Sequence, residues 1–173
     1  AVAKLAALSG RIEMILFSIN PAFDMLPASD DITEYFKENY DEGLGGIAPE
    51  RAELYQICEK NGVGITVMKG YAGGRLFSAE TSPFKTALTP VQCLHYALTR
   101  PGTASVMVGY DTPEHVDQAV AYETASEEEK DYATVLANAP VHAYYGQCTY
   151  WGHCASCPSG IDIAMVSKLY DLA

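Results

Sequence analysis

Apolar residues along this chain gather in three short runs, each followed by a glycine- or proline-marked loop and then by a segment with helical periodicity. The first run, Ile12-Glu-Met-Ile-Leu-Phe-Ser-Ile19, is nearly continuous and of strand length, the pattern of a strand buried on both faces. Gly64-Ile-Thr-Val-Met68 and Ala104-Ser-Val-Met-Val-Gly109 are the second and third. Pro49 opens a helix to about Asn61, with Leu54, Ile57 and Cys58 on one face and Asn61-Gly62 as its stop. Thr89-Pro-Val-Gln92 announces the next helix with a capping box and a first-turn proline, and Thr112 with Pro113 starts another that carries Val116, Ala119 and Val120. Ser126-Glu-Glu-Glu129 opens one more by a capping box, and a last helix runs from about Ile161 to Leu172. Ala1 to Gly10 has the pattern of the closing turns of a helix capped by Gly10. The long connection from Asn20 to Ala48 is rich in acids and proline, with a short capped helix expected at Ser29-Asp-Asp-Ile-Thr-Glu34 and a turn at Leu44-Gly45-Gly46.

Strand, loop and helix in threefold succession predict an α/β fold with parallel strands and helical crossovers. A closed eight-unit barrel takes about 250 residues, so three units could only be a portion of one; an open doubly wound sheet fits the pattern equally. Both architectures place ligands at the carboxyl ends of the strands.

Charge narrows the partners. The 173 residues hold 22 acidic and 11 basic side chains, a formal net charge of -11, with no basic cluster. Nucleic acid and anionic membrane surfaces both require Lys and Arg to neutralise phosphates, so a small molecule or a protein is the expected partner. No apolar stretch approaches the ~18 residues of a membrane span, and a soluble, cytoplasmic protein is expected. The composition, 49% hydrophobic and 19% charged, is that of a chain able to bury a core.

Three of the five cysteines, Cys148, Cys154 and Cys157, lie within ten positions of one another, before Pro158. Such clustering points to a metal or cluster site in a reducing compartment. An iron-sulfur centre normally uses four thiolates, zinc could take His153 as a fourth ligand, and three ordinary thiols in a loop are the plain alternative. The Gly70-Tyr-Ala-Gly73-Gly74-Arg75 loop, beside Lys69, is either a simple turn or a phosphate cradle. The helix start after Gly109 offers amides to an anion, although Asp111 in front of it would repel a phosphate. His95 is expected to pack in its helix, and His142 to stand beside the cysteines at most. There is no GxGxxG fingerprint and no assembled nucleophilic triad.

Several stretches resemble the aldo-keto reductase family: Ile15-Leu-Phe-Ser-Ile-Asn-Pro-Ala-Phe-Asp24, Gly62-Val-Gly-Ile-Thr-Val-Met-Lys69 with Ala72-Gly-Gly-Arg-Leu76, Leu88-Thr-Pro-Val-Gln92, and Ser105-Val-Met-Val-Gly109 with Thr112-Pro-Glu114. Cys148 to Pro158 and Gly160-Ile-Asp-Ile163 resemble the bacterial branch of that family that ends in an iron-sulfur segment. The resemblance implies the carboxyl-terminal portion of a TIM (β/α)8 barrel, about three β/α units over residues 1–139, followed by a cysteine-rich iron-sulfur-like tail and terminal helix over 140–173. The strands near 12–19, 64–68 and 104–109 would be the sixth, seventh and eighth, and residues 1–9 the tail of the helix after the fifth.

The family's catalytic Asp, Tyr, Lys and His belong to the first four strands, so no catalytic residue carries over to this chain. The implied activity of the complete protein is NAD(P)H-dependent reduction of a small-molecule carbonyl. Implied cofactor contacts are Lys69, Ala72 and Gly73 after the second strand, and Gly109, Asp111, His115 and Gln118 after the third. The cofactor is NADP or NAD, since Asp111 and His115 stand where NADPH-binding members often carry small hydroxyl or basic residues. Cys148, Cys154 and Cys157 would hold a 4Fe-4S or 3Fe-4S cluster, with zinc as the alternative. Trp151 stands where that branch has the second of its four cysteines. The missing amino-terminal half, or self-association, would complete the barrel. The competing readings are a non-catalytic half-barrel that binds nucleotide and a zinc-stabilised structural module, either pairing with another chain.

Overall fold

The computed structural model describes residues 2–25, 47–139, 159, 161–163 and 165–166. Helix α1 (Val2–Leu8) leads into strand β1 (Met14–Ser18) and the short α2 (Pro21–Met25). Helix α3 (Pro49–Lys60), β2 (Gly64–Met68), a 3-10 segment (Ala72–Phe77), α4 (Pro90–Leu98) and β3 (Thr103–Val106) follow. Beyond these come α5 (Pro113–Val120), a 3-10 turn (Ala121–Glu123), α6 (Glu127–Lys130) and α7 (Tyr132–Ala137).

The three strands form one parallel sheet in the order β1-β2-β3, which makes the chain a mixed α/β protein. β1 and β2 run in unbroken register from Met14 opposite Gly64 to Ser18 opposite Met68. Between β2 and β3 the register slips, Ile65 facing Thr103 and Thr66 facing Ser105, so Ala104 is the extra residue of a bulge. α3 packs on β2 and α4 on β3, as parallel crossovers require. Ile65 and Val67 point to this helical side and are fully buried, each contributing about 1.5–3 kcal/mol of apolar burial.

The other face differs from expectation. The apolar run of β1 suggests burial on both sides, yet Met14 is 61% and Leu16 57% exposed, and Met107 beyond β3 is 62% exposed. Only the helical face of the sheet is covered at these positions. Across the open face Thr66 donates to the Met14 sulfur (3.2 Å) and accepts from the Ser105 hydroxyl (3.1 Å).

Strand limits are also tighter than the apolar runs. The first is 14–18 where 12–19 is expected, because Ile19 leaves the ladder after its N–H donates to the Met68 carbonyl (3.2 Å). The third begins at Thr103 and ends at Val106, where residues 104–109 are expected; Met107 adds one last bond to the Val67 carbonyl (2.7 Å). The helix expected after Ser126 breaks at Asp131, whose carboxylate accepts from the Thr134 N–H (2.8 Å) and caps α7 separately. Both capping boxes form: Thr89 with Gln92 (3.1 and 2.9 Å) and Ser126 with Glu129 (3.2 and 2.8 Å). α1, α3, α4 and α5 lie where the pattern places them. The short helix at 29–34, the turn at 44–46 and His142 lie outside the described residues, as does most of the terminal helix. Residues 163, 165 and 166 are helical, with the Asp162 carboxylate accepting from the Met165 N–H (2.9 Å).

A buried polar cluster ties the crossovers to the sheet. Asp24, fully buried in α2, accepts from Arg51 Nε (2.7 Å) and the Tyr55 hydroxyl (2.6 Å) of α3 and from the Tyr96 hydroxyl (2.8 Å) of α4. Arg51 also donates to the Ser18 carbonyl and lies over the Phe17 ring, 4.8 Å from its centroid. A buried carboxylate is tolerable only with this density of donors. Burial, with the charge of Asp24 added, pushes the Tyr55 hydroxyl far above the ordinary phenol range, so it remains a donor.

Candidate functional site

The carboxyl ends of β2 and β3 open into a cleft of about 500 Å³. Its first wall is the loop after β2, where the backbone is unusual. Lys69 (φ 58°) and Ala72 (φ 50°) are both left-handed, as are Gly73 (φ 68°) and Gly74 (φ 82°). A left-handed conformation costs a non-glycine residue about 1 kcal/mol and persists only where the surroundings impose it. Here they do. Asn20, fully buried after β1, donates to the Lys69 carbonyl (2.9 Å) while its own carbonyl oxygen accepts from the Phe23 N–H (2.9 Å). The Ala72 N–H donates to the same Lys69 carbonyl (2.8 Å), and the Gly74 N–H to the Tyr71 carbonyl (2.9 Å). Gly70 fits against the next strand so closely that a Cβ there would stand 3.0 Å from Val108 Cγ1. The loop is thus a set shape clamped from three sides.

Tyr71 forms part of this wall, its ring 4.9 Å from that of Phe77. It is nine-tenths buried and its hydroxyl has no hydrogen-bond partner among the described residues. Burial, with Tyr110 and Cys93 nearby, pushes this phenol well above its ordinary range. A buried hydroxyl without a partner costs about 1–3 kcal/mol, so the site carries a donor that is unsatisfied as it stands.

The second wall is the loop after β3 and the first turns of α5. Thr112 caps the helix, its hydroxyl accepting from the His115 N–H (3.4 Å). The Asp111 N–H donates to His115 Nδ1 (3.3 Å). The Glu114 carboxylate sits below the usual carboxylate range because its own backbone N–H and the Thr112 hydroxyl bond to it.

Six of the seven residues expected to contact a cofactor line this one cleft: Lys69, Gly73, Gly109, Asp111, His115 and Gln118. The seventh, Ala72, is buried behind the wall and shapes the loop. Tyr71, Phe77, Pro90 and Val108 also line it. Of these, Phe77 and Val108 carry no local signature, and Pro90 is legible only as a helix start. Tyr71 has a signal in retrospect, an aromatic set inside a glycine loop at a strand end. A basic residue, Lys69, lines one wall of the cleft and an acidic one, Asp111, the other.

Cys148, Cys154 and Cys157 lie outside the described residues, and among those residues no three His, Cys, Asp or Glu gather as a metal site. His95 packs as expected, half-buried between the Tyr122 and Tyr132 rings with Nδ1 3.2 Å from the Tyr122 hydroxyl. No helix among the described residues is long and apolar enough to cross a membrane. No family model, no curated protein and no solved structure matches the chain.

Proposed function

We propose that this chain is the cofactor-binding portion of an NAD(P)H-dependent oxidoreductase of the aldo-keto reductase type. In this reading the sheet is a segment of a (β/α)8 barrel, the chemistry is hydride transfer to a carbonyl, and the catalytic residues lie outside these 173 positions. The observation that carries it is the meeting of Lys69, Gly73, Gly109, Asp111, His115 and Gln118 around one cleft at the carboxyl ends of adjacent parallel strands. That is where parallel α/β folds bind ligands, irrespective of family. Glycine backbone and Lys69 suit a pyrophosphate, and the Tyr71 and Phe77 rings suit a flat heterocycle.

The test is a fluorescence titration of the purified protein, at its natural length, with NADH and NADPH. Micromolar binding of at least one is expected, weakened about tenfold or more by Lys69→Ala, the loss of one charge-assisted contact. Absence of binding to both would remove the nucleotide reading. Cys148, Cys154 and Cys157 enter the proposal as ligands of an iron-sulfur cluster, checked by iron and acid-labile sulfide after anaerobic purification; zinc in their place supports the structural module.

The exposed Met14, Leu16 and Met107 favour a second reading, a non-catalytic half-barrel that binds nucleotide and covers this face with another chain. Nucleotide binding without carbonyl-dependent oxidation of NADH or NADPH by the natural-length protein would support it.

A further inference from the structure

We propose that Asn20 is a positioning residue for the cleft: from the end of β1 it holds the turn from Lys69 to Gly74 in the shape that meets the ligand, without touching the ligand itself. The inference rests on the nucleotide-binding reading of the cleft and names what sets its affinity.

Asn20 is fully buried and works in two directions. Its side-chain oxygen accepts from the N–H of Phe23, the third residue of α2 (2.9 Å), and its backbone carbonyl accepts from the Asp24 N–H (3.0 Å). That is a helix cap, which a serine would supply about equally well. Its amide nitrogen donates to the Lys69 carbonyl (2.9 Å), 49 positions away in the loop of the next strand. Capping α2 does not require this second bond. A buried side chain that accepts at one end and donates across to another loop at the other has to be a carboxamide, since a hydroxyl is too short to do both and an ionised carboxylate has no donor.

The second bond falls on the carbonyl that closes the turn. Lys69 accepts there from Asn20 and from the Ala72 N–H (2.8 Å). Lys69 (φ 58°) and Ala72 (φ 50°) are both left-handed, a conformation that non-glycine residues keep only where the surroundings impose it. Of the two bonds on this carbonyl, the one from Ala72 is internal to the turn and the one from Asn20 ties the turn to β1. On the β3 side Gly70 is pressed against Val106 and Val108, where a Cβ would stand 3.4 and 3.0 Å from their methyl carbons. The turn is therefore held from both neighbours of β2. Lys69, Tyr71, Gly73 and Gly74 of this turn line the cleft, and Asn20 does not. Apparent affinity scales with the fraction of molecules in the binding-competent shape, so Asn20 controls binding through the turn.

The experiment compares natural-length wild type, Asn20→Ala and Asn20→Ser by dissociation constants for NADH and NADPH, urea midpoint and backbone amide exchange. Asn20→Ala removes both bonds, whereas Asn20→Ser keeps the cap and loses the reach to Lys69. Asn20→Ser should recover most of the urea midpoint lost in Asn20→Ala. Both variants should nevertheless bind the preferred nucleotide about tenfold more weakly, the result of a tenfold fall in the competent fraction. In both, exchange at Ala72 and Gly74 should accelerate about tenfold more than at Ile65 and Val67 of β2, the mark of local opening. Recovery of affinity together with the midpoint in Asn20→Ser would show that Asn20 only caps α2, and equal acceleration at the turn and in β2 would show that it only supports the fold; either overturns the proposal. Absence of nucleotide binding by the wild type removes the nucleotide reading, and exchange at Ala72 and Gly74 then decides by itself for or against Asn20 as the holder of the turn.

Discussion

The Tyr96 hydroxyl of α4 donates to the carboxylate of Asp24 at 2.8 Å, joining two residues 72 positions apart in the floor beneath the sheet. Asp24 is fully buried and also holds Arg51 and Tyr55, so one carboxylate anchors α2, α3 and α4 at once. Tyr96→Phe removes one donor and keeps the ring, and should lower stability by about 1–3 kcal/mol. Asp24→Ala strands the buried Arg51 charge and should cost about 3–5 kcal/mol. Urea unfolding of the two variants checks the order; equal losses would show that the charge pair adds nothing beyond a neutral hydrogen bond.

His95 makes stability depend on pH. Burial lowers its pKa from the ordinary 6.5, with Glu127 opposing the shift and Lys130 and Arg100 adding to it. The unfolded chain therefore takes up the proton first. The contribution is whole above 6.5, where both states are neutral, and declines as pH falls through that value toward the lower folded pKa. The stability advantage of the wild type over His95→Gln should shrink as pH falls from 7 to 5, about the range over which an imidazole titrates. A difference independent of pH would refute the assignment.

Two thiols should be silent. Cys58 and Cys93 are fully buried, and burial raises both, Cys93 to about 12. Since the thiolate is the reactive form, neither should be alkylated by iodoacetamide near pH 8, about the pKa of a free thiol, until the protein is unfolded. Peptide mass mapping of native and denatured samples reads this directly. Native labelling of Cys93 would mean that α4 opens readily from the sheet.

Gly62 and Gly102 are both left-handed, yet their substitutions should differ. A Cβ at Gly62 meets open space, whereas at Gly102 it would stand 3.1 Å from the Glu59 nitrogen and 3.2 Å from Cys58 Cβ. Gly62→Ala should cost about 1 kcal/mol from conformation alone. Gly102→Ala adds displacement of α3, and a loss of about 2–3 kcal/mol is expected. Equal chemical-denaturation midpoints for the two variants would rule out the close approach of β3's entry to α3.

Local chemistry explains what was legible in the sequence. Capping boxes at Thr89 and Ser126, the cap at Thr112 and the proline helix starts act within three or four residues, so the string of letters specifies them. Apolar runs bounded by glycine place the strands to within two or three residues. They leave the ends imprecise, because a ladder stops where its neighbour stops: the pairing of β3 ends at Val106 beside Val67, one residue before β2 itself ends. Only the tertiary structure decides the rest. Asp24 reads as one more acid in a polar connection until the fold brings Arg51, Tyr55 and Tyr96 to it. The apolar letters of β1 cannot say that one face stands open, since burial depends on what lies opposite. Lys69 and Asp111 become two walls of one cleft because β2 and β3 are neighbours and their loops emerge at the same end. Whether the first turn of α5 has donors to spare is likewise set by where the side chains of Thr112 and Glu114 turn, a matter of rotamer and contact that residue type leaves open.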